Sequence, residues 1–336
     1  PRTSRLGVAV FGIENGSVLT VVKRSSPRLL TASWDETAKI WNSATGECLL
    51  TLFPHDVSRP VDYPDYGRLH HAYFSSDGST IITVSDTTKI WHASTGVCLD
   101  ELSEHEGKVL SGFVSPDGLL SLCQSVDGSC CVMSTDTGAC VSTLIGQDLR
   151  VQNAHFSPDG RFVLTAIYGA NSIAKIWSTT TGICLMVLCG HKRNMLLNTA
   201  VFNSDATLAL TSSDDGTAKI WSTTTGTCLL TFTGHDDSLN TASFSSDDTL
   251  VLTSSNDSTA KLWNSTSGLC LRTFTGHSNW VRSAMFSFDD STVITSSFDE
   301  TCKVWTLTGE CTLTLIGHTA EIMSVCQAPV TFTTGR

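Results

Sequence analysis

The chain has 336 residues and a net charge of −11, with 40% apolar and only 16% charged residues. This acidic balance argues against nucleic acid or an anionic membrane surface as partner, because phosphate binding draws on clustered Lys and Arg. No apolar run approaches the roughly 18–20 residues needed to span a bilayer, and no N-terminal pattern reads as a signal peptide.

In chain order, residues 6–12 (Leu-Gly-Val-Ala-Val-Phe-Gly) read as an isolated strand. A long-period beat follows. Trp41, Trp91, Met133, Trp177, Trp221, Trp263 and Trp305 mark one position, at intervals of 50, 42, 44, 44, 42 and 42 residues. Five copies are variants of one string: Thr37-Ala-Lys-Ile-Trp41, Ile173-Ala-Lys-Ile-Trp177, Thr217-Ala-Lys-Ile-Trp221, Thr259-Ala-Lys-Leu-Trp263 and Thr301-Cys-Lys-Val-Trp305. Residues 239–277 show what one unit contains. A strand over 239–245 ends in a Ser-Ser-Asp-Asp turn, and a Thr/Val/Leu-rich strand follows over 249–255. After Asn256-Asp257-Ser258, a third strand carries Trp263. A Ser-Thr-Ser-Gly turn leads to a fourth strand over 270–275. No helical period occurs anywhere.

One four-stranded sheet cannot bury both of its faces, but copies stacked face to face around a ring can. Units of roughly 40–45 residues with four strands suit such blades. The expected fold is therefore all-β: four-stranded antiparallel blades in a ring. Seven of the 13 Cys recur at one place in the unit, namely Cys48, Cys98, Cys140, Cys184, Cys228, Cys270 and Cys311. That regularity suggests small buried hydrophobes rather than disulfide or metal partners, and hence a reducing, cytoplasmic setting. Three Asn-x-Ser/Thr triplets, at Asn15, Asn256 and Asn264, are expected by chance in so Ser/Thr-rich a chain.

The Gly-His before each first strand, the Ser-x-Asp-x-Thr after the second and the Trp ending the third closely resemble the WD40 repeat. So do the Ser-Pro-Asp-Gly turns at 115–118 and 157–160 and the Thr-Gly-x-Cys-Leu strings. The resemblance covers nearly the whole chain and implies a seven-bladed WD40 β-propeller. One departure is uniform. The Asp that follows the family's Trp is replaced by Asn42, His92, Ser134, Ser178, Ser222, Asn264 and Thr306, all able to serve a turn.

The resemblance further implies a His–Ser/Thr–Asp–Trp hydrogen-bond network in each blade. It maps onto His191, Thr211, Asp215 and Trp221; onto His235, Thr253, Asp257 and Trp263; and onto His277, Thr295, Asp299 and Trp305. The first copy has Thr31, Asp35 and Trp41, but Ile13 stands where the His belongs. The second has His55 and Trp91, with a deletion near Asp86. The third has His105 and Asp127 but Met133 for Trp. The fourth has Gln147 for His and no clear Asp within 168–172. A hydroxyl–His–Asp set is also a catalytic grouping. Near-identical copies at regular spacing instead indicate a buried network that stabilises the fold, so no catalytic residue, cofactor or metal is expected. Blades 3 and 4, the most altered, are expected to be the least stable.

Domain organisation is expected to be one propeller: residues 1–16 a lone outer strand that latches the ring, 17–316 seven repeats, and 317–336 an overhang resembling the start of another repeat. An eight-bladed or longer array cut short is the alternative. Pro1 in place of Met suggests a piece of a longer protein. Family members bind partners at the face formed by loops between strands 2 and 3 and between blades. There the residue before the network Asp is Trp34 in blade 1 and Phe298 in blade 7. Trp280 and Arg282 open blade 7, and the longer loop entering blade 2 carries Tyr63 and Tyr66. A seven-membered ring gathers these six into one sector, in residue types enriched at interface hot spots. Packing among themselves is the plainer reading. Lys192 and Arg193 on blade 5 suit an acidic or phosphorylated ligand, or a solvated loop. The expectation is a non-enzymatic, monomeric scaffold for other proteins or peptides, a module of an intracellular signalling or assembly protein. An enzyme with its site at the central channel, or a purely architectural array, are the alternatives.

Overall fold

In the computed structural model the described residues are 8–9, 22–24, 28–54, 68–75, 77–85, 88–102, 113–124, 130–144, 151–167, 171–329 and 332–334. They form seven four-stranded antiparallel sheets arranged as a β-propeller, together with one three-stranded sheet. No helix among them is long and apolar enough to cross a membrane. Blade 6 shows the pattern, with strands Leu239–Phe244, Leu250–Ser255, Ala260–Asn264 and Cys270–Phe274 in sequence order from the axis outward. Blades 2 to 5 and blade 7 repeat it.

Blade 1 is assembled differently. Arg28–Ser33, Ala38–Asn42 and Cys48–Leu52 supply its outer three strands. Its innermost strand, Ile322–Gln327, comes from the other end of the chain and pairs with Arg28–Ser33. The expected overhang is thus what closes the ring. The N-terminal strand, expected as an outer strand that latches the last blade, pairs elsewhere: Cys311–Ile316 is the outermost strand of blade 7, while Val8–Ala9 pairs with Val22–Arg24, which pairs with Phe332–Thr334 in the separate three-stranded sheet. The C-terminal stretch suits the innermost place because of what such a strand brings with it. It follows a Gly-His loop whose imidazole reaches the second strand, and Gly317-His318 supplies one here.

The second strands are the core of each blade. Leu29, Leu30 and Thr31 in blade 1 are fully buried, as are Val251, Leu252 and Thr253 in blade 6. Apolar side chains cluster between blades. Leu30, Ile40 and Leu52 of blade 1 meet Ile81 and Trp91 of blade 2, while Trp41 meets Ile294, Val304 and Leu315 of blade 7. Each Trp therefore packs against the preceding blade, and its close approach demands glycine. A Cβ on Gly317, at φ +151°, would lie 3.2 Å from the Trp41 ring. Six such clusters occur among the described residues. None joins blades 2 and 3, where Met133 stands in place of Trp. Blade 4, by contrast, keeps a fully buried Trp177 bonded through Nε1 to Thr165 Oγ1 at 2.9 Å. Among the described residues the run of apolar clusters is thus interrupted at the junction of blades 2 and 3.

The recurring cysteines correct another expectation. Cys48, Cys98, Cys140, Cys228, Cys270 and Cys311 are exposed and Cys184 is half-buried. They open the outermost strands, which have a paired neighbour on one side only, so the rim is where they lie. All but Cys140 bring the thiol to the main-chain oxygen two residues on, as Cys228 Sγ does to Leu230 O at 3.5 Å. Among the described residues the buried thiols are Cys130 and Cys302, and burial pushes the latter far above the ordinary thiol value.

Candidate functional site

The three networks mapped from sequence all form. His191 Nδ1 lies 2.9 Å from Asp215 Oδ2 and its Nε2 lies 2.8 Å from Thr211 Oγ1, which accepts the Trp221 indole N–H at 2.8 Å. The corresponding distances are 2.6, 2.8 and 2.9 Å for His235, Asp257, Thr253 and Trp263. They are 2.8, 2.7 and 2.8 Å for His277, Asp299, Thr295 and Trp305. A fourth network was only half visible in sequence. His318 Nδ1 is 2.7 Å from Asp35 Oδ2 and its Nε2 is 2.7 Å from Thr31 Oγ1, which accepts from Trp41 at 2.8 Å. Ile13 lies outside the described residues, as do His55, Asp86, His105, Asp127 and Gln147. The missing imidazole of blade 1 is 283 residues from its Asp, and the repeated Gly-His was its signal.

A further hydroxyl joins each network. Thr37, Thr217, Thr259 and Thr301 each donate through Oγ1 to the Asp, at 2.6–2.7 Å. With His protonated on Nδ1 alone, every donor points one way: indole to Thr, Thr to His, His to carboxylate. Burial by itself would raise the Asp35 carboxyl. Bonds from His318, Thr37 and the Thr319 main-chain N–H outweigh that and hold it far below the usual carboxylate range. The same balance holds Asp215, Asp257 and Asp299 down. The Thr hydroxyls are fully buried and already accept an indole proton, so none is placed to attack a substrate. These networks tie the loop before each innermost strand to the turn between the second and third strands.

That turn and that loop make one face of the ring, and the aromatic residues lie there. Trp280 packs against Phe298 in a tilted arrangement with ring centroids 5.4 Å apart, and Phe298 lies tilted against Trp34 at 5.6 Å. The Arg68 guanidinium sits 4.4 Å over the Trp34 ring. This ladder runs from blade 7 across blade 1 to the entrance of blade 2. Backbone bonds set its geometry: Phe298 N donates to Trp280 O, and Trp34 N to Glu321 O, each at 2.9 Å. Trp280 is 45% exposed, whereas the Trp34 indole N–H is buried with no partner among the described residues. Tyr63 and Tyr66 lie outside the described residues. Arg282 does not join the ladder; its Nη1 donates to Asn240 Oδ1 at 2.8 Å, on the innermost strand of blade 6. Arg68 was missed in sequence because nothing in a Gly-Arg-Leu string marks a cation–π partner. Lys192 and Arg193 are exposed on their loop.

Among the described residues, no group of three or more His, Cys, Asp or Glu is arranged to hold a metal ion. The profile of the WD domain, G-beta repeat family matches residues 10–42, 138–178, 182–222, 226–264 and 268–306, more than half of the chain. The unmatched stretch 43–137 holds the junction that lacks a Trp. No curated protein matches the chain. With its repeats matched by that profile, its seven four-stranded blades and its networks of His, Thr, Asp and Trp, the chain belongs to the WD40 repeat family.

Proposed function

We propose that this propeller is a non-enzymatic scaffold that docks another protein on the face carrying Trp280, Phe298 and Trp34. WD40 propellers typically serve protein–protein interaction. The observation that carries the reading here is the ladder itself. Three aromatic rings and a guanidinium are in contact in a row across three blades, and the Trp280 ring is open to solvent. Surface positions that only cap a turn need no such side chains; Asp214 and Asn256 do that work in blades 5 and 6. Large rigid aromatics flanked by Arg are the residues that concentrate binding energy at interfaces. A cytoplasmic assembly role, with the propeller as one module of a longer protein, fits the reduced rim cysteines and the −11 charge.

The test is affinity capture with the intact chain, a Trp34→Ala/Phe298→Ala variant and a Phe288→Ala control. Phe288 is 56% exposed in the turn between the first and second strands of blade 7, at the opposite end of that blade. A partner lost from the ladder variant and kept by the control supports the reading. A ladder variant that remains folded and retains every partner removes it.

A further inference from the structure

The outermost strands follow one pattern, and blade 4 breaks it. A register shift beside the third-strand Trp, or beside Met133 in blade 3, makes the second residue of each outermost strand an extra one. A shift after Val281 does the same for Arg282 on the innermost strand of blade 7. Two residues beyond the extra one, a polar residue pairs with the third strand. Thr51, Thr143, Thr231, Thr273 and Thr314 hold that position, and Glu101 holds it in blade 2. In blades 1, 5, 6 and 7 the Thr hydroxyl accepts from a third-strand Lys, as Thr231 does from Lys219 Nζ at 2.9 Å. An edge strand presents a row of unpaired N–H and C=O groups, and polar or charged side chains along it keep other strands away.

Blade 4 has Val187 in that position. Its outermost strand, Cys184–Cys189, has a paired neighbour on one side only. Ile183, Leu185 and Val187 are 61, 50 and 46% exposed, and Cys189 is exposed beyond them. The residues between them turn inward, where Met186 and Leu188 pack with Trp221 of blade 5. A strand apolar on both faces is the pattern of one buried on both, yet this one lies at an edge. Lys175, which opposes Val187 in register, lies over the Trp177 ring, 5.3 Å from its centroid.

The charge around this edge also departs from the rest of the chain. Residues 160–204 contain no Asp or Glu but include Arg161, Lys175, Lys192 and Arg193, in a chain of net charge −11. Lys192 and Arg193 are exposed. They belong to the Cys189 end of the strand: Ser172 Oγ donates to Lys192 O at 2.9 Å, and the next residue, Ile173, is the register partner of Cys189. The Asp215 carboxylate meets Lys192 at its main-chain N–H and is already held by His191 and Thr217.

We infer that the outer edge of blade 4 is a second docking site. An extended segment of another protein adds to Cys184–Cys189 as a fifth, antiparallel strand, with alternate apolar residues over Ile183, Leu185 and Val187 and acidic residues at its N-terminal end against Lys192 and Arg193. Main-chain bonds supply the attachment, and the side chains of the edge select the sequence. Antiparallel order continues the pairing within the blade and is the stronger per residue; it brings the N-terminal end of the segment to Cys189. A second copy of this edge fits the place poorly. It would offer six residues a side, where a stable interface engages roughly 20–30, and it would set one basic stretch against another. The site is on blade 4, whereas the aromatic ladder spans blades 7, 1 and 2, so it does not rest on the ladder.

Three blocked peptides test it, titrated into the full chain at neutral pH with the Leu185 methyl signals followed by NMR. They are acetyl-Glu-Glu-Val-Thr-Val-Thr-Val-amide, its acid-last counterpart acetyl-Val-Thr-Val-Thr-Val-Glu-Glu-amide, and the first peptide with Pro for its central Val. The acid-first peptide is expected to shift those signals saturably, to slow amide exchange within 184–189, and to bind at least about tenfold more tightly than the acid-last one. The Pro peptide lacks a ladder donor and should not bind. Val187→Thr gives blade 4 the residue that blades 1, 3, 5, 6 and 7 hold, so the fold is retained; unchanged Trp177 and Trp221 indole signals check this. That variant should bind the acid-first peptide about fivefold more weakly. Lys192→Ala/Arg193→Ala should bind the two orders alike, and Trp34→Ala/Phe298→Ala should bind as the unmodified chain does. No saturable shift up to ~10 mM peptide, a Pro peptide that binds as tightly, or an acid-last peptide that equals the acid-first one overturns the site. So does full affinity in Val187→Thr, an order preference that survives Lys192→Ala/Arg193→Ala, or loss of binding in Trp34→Ala/Phe298→Ala.

Discussion

His318→Ala is the substitution that most directly probes how the ring is held. His318 joins Thr31 on a second strand and Asp35 in the turn after it, 283 or more residues away in sequence, and its side chain is fully buried. The substitution removes a bond to a charged carboxylate and one to a buried hydroxyl. Asp35 is not left bare, since Thr37 Oγ1, Thr37 N and Thr319 N still donate to it. The cost is therefore below that of an orphaned buried charge, at about 2–4 kcal/mol. For a chain of this size that corresponds to a loss of roughly 3–6 °C in melting temperature. His277→Ala removes the same kinds of bond within blade 7, where the partners are 18 and 22 residues away, and should cost a similar amount. The two differ in where the ring opens. Without His318 the innermost strand of blade 1 is held by its ladder to Arg28–Ser33 and by side-chain packing, and a long closure is lost. Amide exchange in 28–33 and 322–327 should accelerate selectively in His318→Ala and not in His277→Ala. Thermal melting with hydrogen exchange by mass spectrometry reads both. An unchanged midpoint, or exchange that rises equally around the ring in both variants, would refute the reasoning.

Acid should destabilise the propeller through the four network carboxyls. Each is held below its unfolded value of 3.8, so its contribution is complete above about pH 4 and is lost as pH falls below that. Urea midpoints should drop steeply between pH 4 and 3, and Asp257→Asn should flatten that drop; a flat profile in the unmodified chain speaks against the networks. His155, pushed down to about 4 by burial, should titrate by NMR near that value; a midpoint at the ordinary imidazole value would speak against its burial. A maleimide should label Cys48, Cys98, Cys140, Cys228, Cys270 and Cys311 in the folded chain, while Cys130 and Cys302 react only on unfolding; early labelling of Cys302 would contradict its burial. The strands flanking the junction of blades 2 and 3 should exchange before those of blades 5 to 7, and Met133→Trp should slow them. Opening that starts in blade 6 instead would remove the role assigned to the indoles.

The residues themselves carried most of the architecture. A beat of 42–50 residues, four short strands per unit and alternating apolar positions leave a sheet whose two faces can be hidden only by its own copies. The three networks in blades 5 to 7 could be read off by position, because each lies within one stretch of about 30 residues. Three things could not be read that way. Which end closes the ring depends on pairing across nearly the whole chain, and local pattern says nothing about that choice. The place of the recurring Cys was misjudged because a regular apolar position looks the same in a central strand and at a rim. The ladder was foreshadowed by two tryptophans off the beat, Trp34 and Trp280, yet its Arg68 and the separate fate of Arg282 emerged only from the fold. A bulge decides where a side chain aims, and whether blade 6 offers an amide oxygen to receive it is a property of neighbours in space, not in sequence.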